Sequence, residues 1–378
     1  MKIIIDGTQS MFPALRGVGR YTLSLIRSII DTGHTHGLCI FYNTFKKKNG
    51  YYHFPIDGLV ETSVSGLPGR LLTGLWNRYS FPSIDFFVGS HDVFHAPTAH
   101  LIPPTKGRLV CTIHDLIPRL FPDNCSSAFL QNYNRSMELV CERADAIITV
   151  SESTKSDIVS IMNYDPDRIS VIPLAAALEK IENPPSIDKE TVIKKYGLNR
   201  PYLLYVGGGE AYKNLDTLIN VFRVLRAEFQ IPHKLLLVGK ILECSPNLEA
   251  IVAKYNLEKD VVFTGIVSNQ ELIDIYQMAD IFVFLSLYEG FGLVLLEAME
   301  FGLPIVASNV SSIPEVVGDG AILVDPKNIE NISKAIMSLI DCSDLAKYYS
   351  KKGLKRASQF SWDLTATQTI KVYQSLIK

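Results

Sequence analysis

Apolar residues fall along this chain in short blocks that alternate with amphipathic stretches. The first block, Ile3-Ile4-Ile5, stands between Lys2 and Asp6, and others follow at 36–42, 92–97, 109–113, 146–150, 169–172, 201–206, 234–238, 261–264, 281–285 and 320–324. Blocks of this length, often with no polar alternation, predict strands buried on both faces, the habit of parallel sheets. Between them apolar positions return at three- and four-residue spacing, which predicts helices over 20–30, 69–79, 126–141, 189–196, 215–229, 293–301, 329–340 and 362–377. Ser151 is placed as an N-cap, and Ser268-Asn269-Gln270-Glu271 as a capping box. Strand followed by helix through both halves predicts an α/β fold with right-handed crossovers.

At 378 residues the chain exceeds one ordinary core, so two domains are expected. Periodicity lapses from Pro173 to Ser186, which sets a linker between a domain at 1–175 and a second at 190–358, with a terminal helix at about 360–378. Formal charge is −2, which argues against a nucleic-acid-binding body. No apolar run approaches the roughly 18 residues of a membrane span. The opening block is too short for a signal peptide, so a cytoplasmic protein is expected. Six scattered cysteines with no C-x-x-C pair argue against zinc and against a disulfide framework.

The chemistry gathers between Phe284 and Pro314. A strand runs into a loop holding Glu289, Gly290, Phe291 and Gly292, and a helix starts at Leu293 and carries Glu297. The first N–H groups of a helix lack intrahelical partners and sit at the positive end of its dipole, so this start can receive a phosphate. Glu289 precedes that phosphate and Glu297 reaches past it. Acids so placed suit a diphosphate flanked by two sugars, Glu297 on a ribose and Glu289 on a hexose. A second glycine loop, Gly207-Gly208-Gly209, ends in Lys213-Asn214 ahead of another helix and also fits phosphate. It is not a Walker loop, because no Gly-Lys-Ser/Thr closes it.

Three further stretches bear on the site. Gly17-Val18-Gly19 opens the first helix but lacks the third glycine and the ribose acid of a dinucleotide fingerprint, which excludes a typical nucleotide-dependent oxidoreductase. His95, His114 and Asp115 fall at the carboxyl ends of predicted strands, where open α/β sheets bind ligands, and position favours His114. Asp165-Pro166-Asp167 matches a metal-binding D-x-D only in letters: turn chemistry before a strand accounts for it.

The run Glu289-Gly290-Phe291-Gly292 with Glu297, then Gly302-Leu303-Pro304-Ile305-Val306-Ala307, resembles the E-x7-E signature of retaining glycosyltransferases of family 4. That resemblance implies the GT-B fold: two Rossmann-like domains facing a central cleft, with the terminal helix crossing back onto the first. It implies a nucleotide-sugar donor on the second domain, the acceptor on the first, and no cofactor or metal. His114, in a run similar to the family's TIHDLIP-type motif, would contact the donor sugar, with Gly17 and Gly19 near the diphosphate and Ile266 and Val267 near the base. Domain closure would bring His114 to the anomeric carbon. Lys213 would neutralise the departing diphosphate.

The chain departs from the pattern at Gly208, where many members carry an arginine, and at Tyr212, where others do. Arg16, Arg20 and Lys240 are candidates to supply the missing cation. Wording around GVGRYT, FHAPT and TIHDLIP is similar to that of bacterial mannosyltransferases of surface polysaccharide synthesis, which favours GDP-mannose over a UDP-sugar and a glycan or lipid-linked acceptor at the inner membrane face. An epimerase on the same scaffold and a non-catalytic sugar-nucleotide binder stay open as alternatives. Lys46-Lys47-Lys48 with Tyr51 and Tyr52 reads as a solvated loop. The helix at 69–79 reads as packed on the sheet, with contact to a lipid surface as the alternative.

Overall fold

The structure, a computed structural model, describes residues 1–11, 17–44, 60–99, 102–176, 189–198 and 201–377. Arg16, the Lys46–Lys48 patch with Tyr51 and Tyr52, and most of the expected linker lie outside these residues. The chain divides into two compact units, one of Met1–Ala177 with Ser361–Lys378 and one of Leu178–Phe360.

In unit 1 the strands are β1 (Ile3–Asp6), β2 (Leu38–Tyr42), β3 (Glu61–Val64), β4 (Val93–Ala96), β5 (Arg108–Ile113), β6 (Ala146–Thr149) and β7 (Ile169–Val171). Among the described residues they form one parallel sheet in the order β3-β2-β1-β4-β5-β6-β7. Every residue of β1, β2, β4 and β6 is buried, as unbroken apolar blocks require. Strand β3, Glu-Thr-Ser-Val, lies at the edge and is half exposed, so it carries no apolar block and the sequence pattern misses it. The principal helices are α1 (Gly17–Asp31), α2 (Gly69–Tyr79) and α3 (Ser127–Arg143). Helix α2 buries Leu72 and Trp76 in the core and leaves Leu71 and Tyr79 exposed, so it packs on the core as its periodicity predicts.

The helix Trp362–Ser375 belongs to this unit, although unit 2 precedes it in the chain. Ser361 caps it by accepting the N–H of Leu364. The Trp362 indole donates to the carbonyl of Ala176 (2.9 Å), Thr365 Oγ1 to that of Pro173 (2.8 Å), and Ser28 Oγ to Asp363 Oδ1 (2.9 Å). Deeper in, a chain of buried polar groups ties helix to sheet. The Tyr373 hydroxyl meets His95 Nδ1 at 2.5 Å, His95 Nε2 meets Thr112 Oγ1 at 2.8 Å, and the Tyr21 hydroxyl meets the same oxygen at 3.0 Å. Buried polar groups persist because each has a partner.

Unit 2 has β8 (Tyr202–Val206), β9 (Lys234–Val238), β10 (Val261–Gly265), β11 (Ile281–Phe284), β12 (Ile305–Ser308) and β13 (Ile322–Val324), parallel in the order β10-β9-β8-β11-β12-β13. The pattern reading omits β12, four buried residues inside the Gly302–Ser308 run. Helices α4 (Leu215–Ala227), α5 (Asn269–Met278) and α6 (Leu293–Glu300) follow β8, β10 and β11. The capping box at α5 forms as its sequence predicts. Its Glu271 also receives Lys195, whose hydrogen bond holds the carboxyl down at about 2.

His95 makes the first unit sensitive to acid. Burial, and then the nearby His114, push its pKa from the ordinary 6.5 down to about 3. The unfolded chain therefore binds a proton between these values that the folded chain refuses, so stability present above pH 6.5 is lost as pH falls toward 3, at about 1.4 kcal/mol per pH unit at full slope. Asp6 acts oppositely: burial raises its carboxyl from 3.8 to about 6, so its contribution is present below 3.8 and lost as pH rises through 6. Urea unfolding at pH 6.5 and 4.5 should show His95→Gln losing less stability across the interval than wild type. Equal losses in the two proteins would refute a neutral, buried His95.

Candidate functional site

In unit 2 strand order reverses between β8 and β11. Neighbouring strands there send their connections to opposite sides, which leaves a crevice beyond their carboxyl ends where ligands of α/β sheets bind. Both glycine loops singled out from the sequence open at this point. From β8 the chain passes Gly207–Gly209, turns through Ala211–Lys213, and enters α4 from Asn214, which is left-handed at φ 60°. From β11 it passes Glu289 and enters α6 from Gly292 at φ 96°, a conformation that favours glycine.

The two arms meet in an ion pair. Lys213 Nζ lies 2.7 Å from Glu289 Oε1, with side chains only 14% and 9% exposed. The ammonium also lies over the rings of Tyr212 (5.0 Å) and Phe284 (5.8 Å). Backbone ties fix both partners: the Asn214 carboxamide donates to the carbonyls of Leu285 (3.1 Å) and Pro326 (2.9 Å). Ser311 Oγ accepts the Glu289 N–H at 2.9 Å, and the buried Ser312 hydroxyl donates to the carbonyls of Glu289 (2.9 Å) and Phe291 (3.2 Å). Gly290 lies between these two anchored residues, and Leu293 begins the helix. The sequence reading missed Ser311 and Ser312; their signal is position, just ahead of Ile313-Pro314 in the run that carries the motif.

Glu297 lies one turn into α6 and is almost wholly buried. Its Oε2 accepts the hydroxyl of Tyr276 at 3.1 Å, and that ring stacks on Phe301 at 5.2 Å. Tyr276, from α5, is a further residue that spacing alone did not single out. At the end of β10, Ile266 is 64% exposed and Val267 half-buried.

Packing explains part of the first glycine loop. A Cβ on Gly239, at φ 129°, would stand 2.0 Å from the carbonyl oxygen of Gly207, so the ends of β8 and β9 touch backbone to backbone. At Gly208 a Cβ would stand 2.0 Å from Glu210 Oε2. The space into which an arginine would project is held by a carboxylate. Of the candidate replacements, Lys240 follows Gly239 beside this loop and pairs with Glu243 at 2.7 Å, whereas Arg20 lies half-buried on α1 of unit 1.

In unit 1 strand order reverses between β1 and β4. His114 follows β5 directly. Its Nε2–H donates to the Pro97 carbonyl at 2.9 Å and Tyr21 packs edge-on at 4.7 Å, which fixes the ring. It lines a hollow of about 120 Å³ with Val18, Thr98, Asp115 and Tyr133. Val18 stands between Gly17 and Gly19, so the start of α1 and His114 do come together, with Gly17 exposed and Gly19 buried. His95 is different: it is enclosed in the core network and serves the architecture. Asp165 accepts the N–H of Asp167 at 2.9 Å, the turn its sequence predicts. Among the described residues no three His, Cys, Asp or Glu side chains form a group able to hold a metal ion, and no helix is long and apolar enough to cross a membrane. All six cysteines are free thiols.

The Lys213–Glu289 pair should be visible in stability. Removing one partner leaves the other charge largely buried, so Lys213→Ala or Glu289→Gln alone should cost about 2–4 kcal/mol in ligand-free protein. The double substitution should cost clearly less than the sum when measured by urea unfolding. Strict additivity would mean the pair is not coupled.

Two family models tile the chain, glycosyltransferase family 4 over residues 15–180 and glycosyl transferases group 1 over residues 188–356. The chain is 31% identical to O-antigen chain mannosyltransferase B of Escherichia coli, with 100% of both chains covered. It is 30% identical to the serotype-specific mannosyltransferase WbdA of Escherichia coli over 100% of its own length and 48% of that protein's. The solved structure of HepE from Anabaena in complex with UDP and glucose matches with a TM-score of 0.73 at 18% identity, covering 99% of this chain and 100% of that one, a likeness of fold. With identity sustained over its full length and both units matched in turn, the chain belongs to glycosyltransferase family 4 and has the GT-B fold.

Proposed function

We propose that the enzyme transfers mannose from GDP-mannose to a hydroxyl of a lipid-linked or polysaccharide acceptor, with retention at the anomeric carbon and without a metal ion. The observation that carries this reading is the Lys213–Glu289 pair across the strand-order reversal of unit 2. A bound diphosphate offers Lys213 a stronger partner than a single carboxylate, so donor binding would draw the ammonium onto phosphate and release Glu289 to the hydroxyls of the sugar. The first N–H groups of α6 and Lys240 would take the remaining charge of the leaving group. Glu297, oriented by Tyr276, would accept from the ribose. In the transfer the anomeric carbon loses its bond to the phosphate oxygen and gains one to the acceptor oxygen on the same face. The acceptor proton passes to the departing phosphate. His114, with its ring fixed by Pro97, would stand beside the sugar.

Mannose is favoured by the names of the relatives, both mannosyltransferases. The proposal sets the enzyme in the cytoplasm, in peripheral contact with the inner membrane face; the membrane contact is supported by Leu71, Tyr79, Phe81 and Phe86, large hydrophobic residues exposed on unit 1. Titration calorimetry should show GDP binding at least tenfold tighter than UDP, unchanged by EDTA, and weakened at least tenfold by Glu297→Ala. Lys213→Ala should lower the transfer rate about 10²–10³-fold. Tighter binding of UDP would sink the mannose donor, and loss of binding in EDTA would sink metal independence.

A further inference from the structure

Unit 1 also holds a cavity of about 740 Å³, larger than the hollow beside His114 and walled by the turn after β1, by α2 and by α3. Nothing above uses it. We propose that it seats the acceptor as an uncharged oligosaccharide of two or three sugar residues, with the chain end directed to the hollow beside His114. This rests on the glycosyl-acceptor reading given under Proposed function.

Three observations carry it. The first is the lining: among the described residues its polar side chains are neutral hydrogen-bonding groups apart from Arg70, including the amides of Gln9, Asn43, Asn77 and Asn132, and Phe129 and Tyr133 add apolar ring surface. A polyhydroxyl ligand fits such walls, where both rings and neutral amides can meet it; among the described lining residues there is no carboxylate for a cationic ligand and one cation for a diphosphate.

The second is that two of these amides, Asn43 and Asn132, are fixed in direction. Asp6 Oδ1 accepts both the N–H (2.9 Å) and the hydroxyl (2.5 Å) of Thr8, and Thr8 Oγ1 accepts the Asn43 N–H at 2.9 Å. The nine-tenths-buried Asn43 has its Oδ1 engaged by the Ser65 hydroxyl at 3.2 Å, which leaves its NH₂ as the end suited to donate into the cavity. Asn132 is set the other way, since its NH₂ donates to the Ala128 carbonyl at 3.0 Å and its Oδ1 remains the end suited to accept. A sugar hydroxyl both donates and accepts, and oriented pairs of this kind discriminate among hydroxyl arrangements.

The third is continuity. Phe129 and Tyr133, stacked at 6.3 Å and 22°, line this cavity and the His114 hollow alike. A glycan lying along their rings in the larger space therefore presents its last hydroxyl at the smaller one.

Gly74 supplies a test that spares the fold. It sits within α2, lines the cavity, and a Cβ there meets nothing within 4 Å, so Gly74→Leu fills the space without strain and removes a glycine from a helix. Saturation-transfer NMR with α-linked mannotriose, on the full chain with GDP present, should detect binding to wild type and a loss of at least tenfold in Gly74→Leu and in Phe129→Ala. Both variants should keep the wild-type circular-dichroism spectrum and urea-unfolding transition of unit 1, which shows that the unit is folded, and affinity for GDP, held by unit 2, should stay within twofold. Unchanged mannotriose binding in the variants, or none to wild type, overturns the proposal. So does displacement of mannotriose by inorganic pyrophosphate that is abolished in Arg70→Ala, since the cavity is then an anion site.

Discussion

Two charges that cannot be left alone organise the second unit. Lys213 arrives on the arm that follows β8 and Glu289 on the arm that follows β11, and with little water to solvate either one, each is held by the other. The arms approach each other only because the parallel sheet reverses its strand order between them. Asn214, Ser311 and Ser312 hold the backbone of the two arms and make no bond to either charge, so they keep the arms in place whether or not the charges stay paired. A fixed frame around an exchangeable ion pair is suited to a ligand that must be gripped through its phosphates and then released.

The first unit separates the same two tasks between two histidines at adjacent strands. His95 is enclosed, kept neutral by burial, and spends both ring nitrogens on Thr112 and Tyr373. His114 stands where the neighbouring strand ends, anchored through one nitrogen to Pro97 and bordering open space. His95 stands level with Val110, four residues deeper into the sheet than His114, and at that depth its ring holds the helix Trp362–Ser375.

Much of this architecture is written locally. Unbroken apolar blocks identify buried parallel strands, Ser268 and Glu271 announce a helix start within four residues, and the spacing of Glu289 to Glu297 binds a loop to the helix after it. What escapes the sequence depends on partners far along the chain. Strand β3 is polar because it is an edge, and β12 is legible as a strand only once β11 and β13 flank it. The missing arginine at Gly208 can be seen in the letters, but not that Glu210 fills its place. Tyr276 meets Glu297 across 21 residues, and the walls of the larger cavity come from three separate stretches of unit 1. No period in the sequence encodes such meetings.

The helix Trp362–Ser375 also fixes an order of events during synthesis. Unit 1 takes its last element from a segment made only after all of unit 2, and until then Ala176, Pro173 and His95 lack the partners that Trp362, Thr365 and Tyr373 provide. While the ribosome translates the second unit, the first waits with the face of α1 that this helix covers still open, and with a buried imidazole short of one hydrogen bond. The half of the protein that is started first is therefore the half that is finished last.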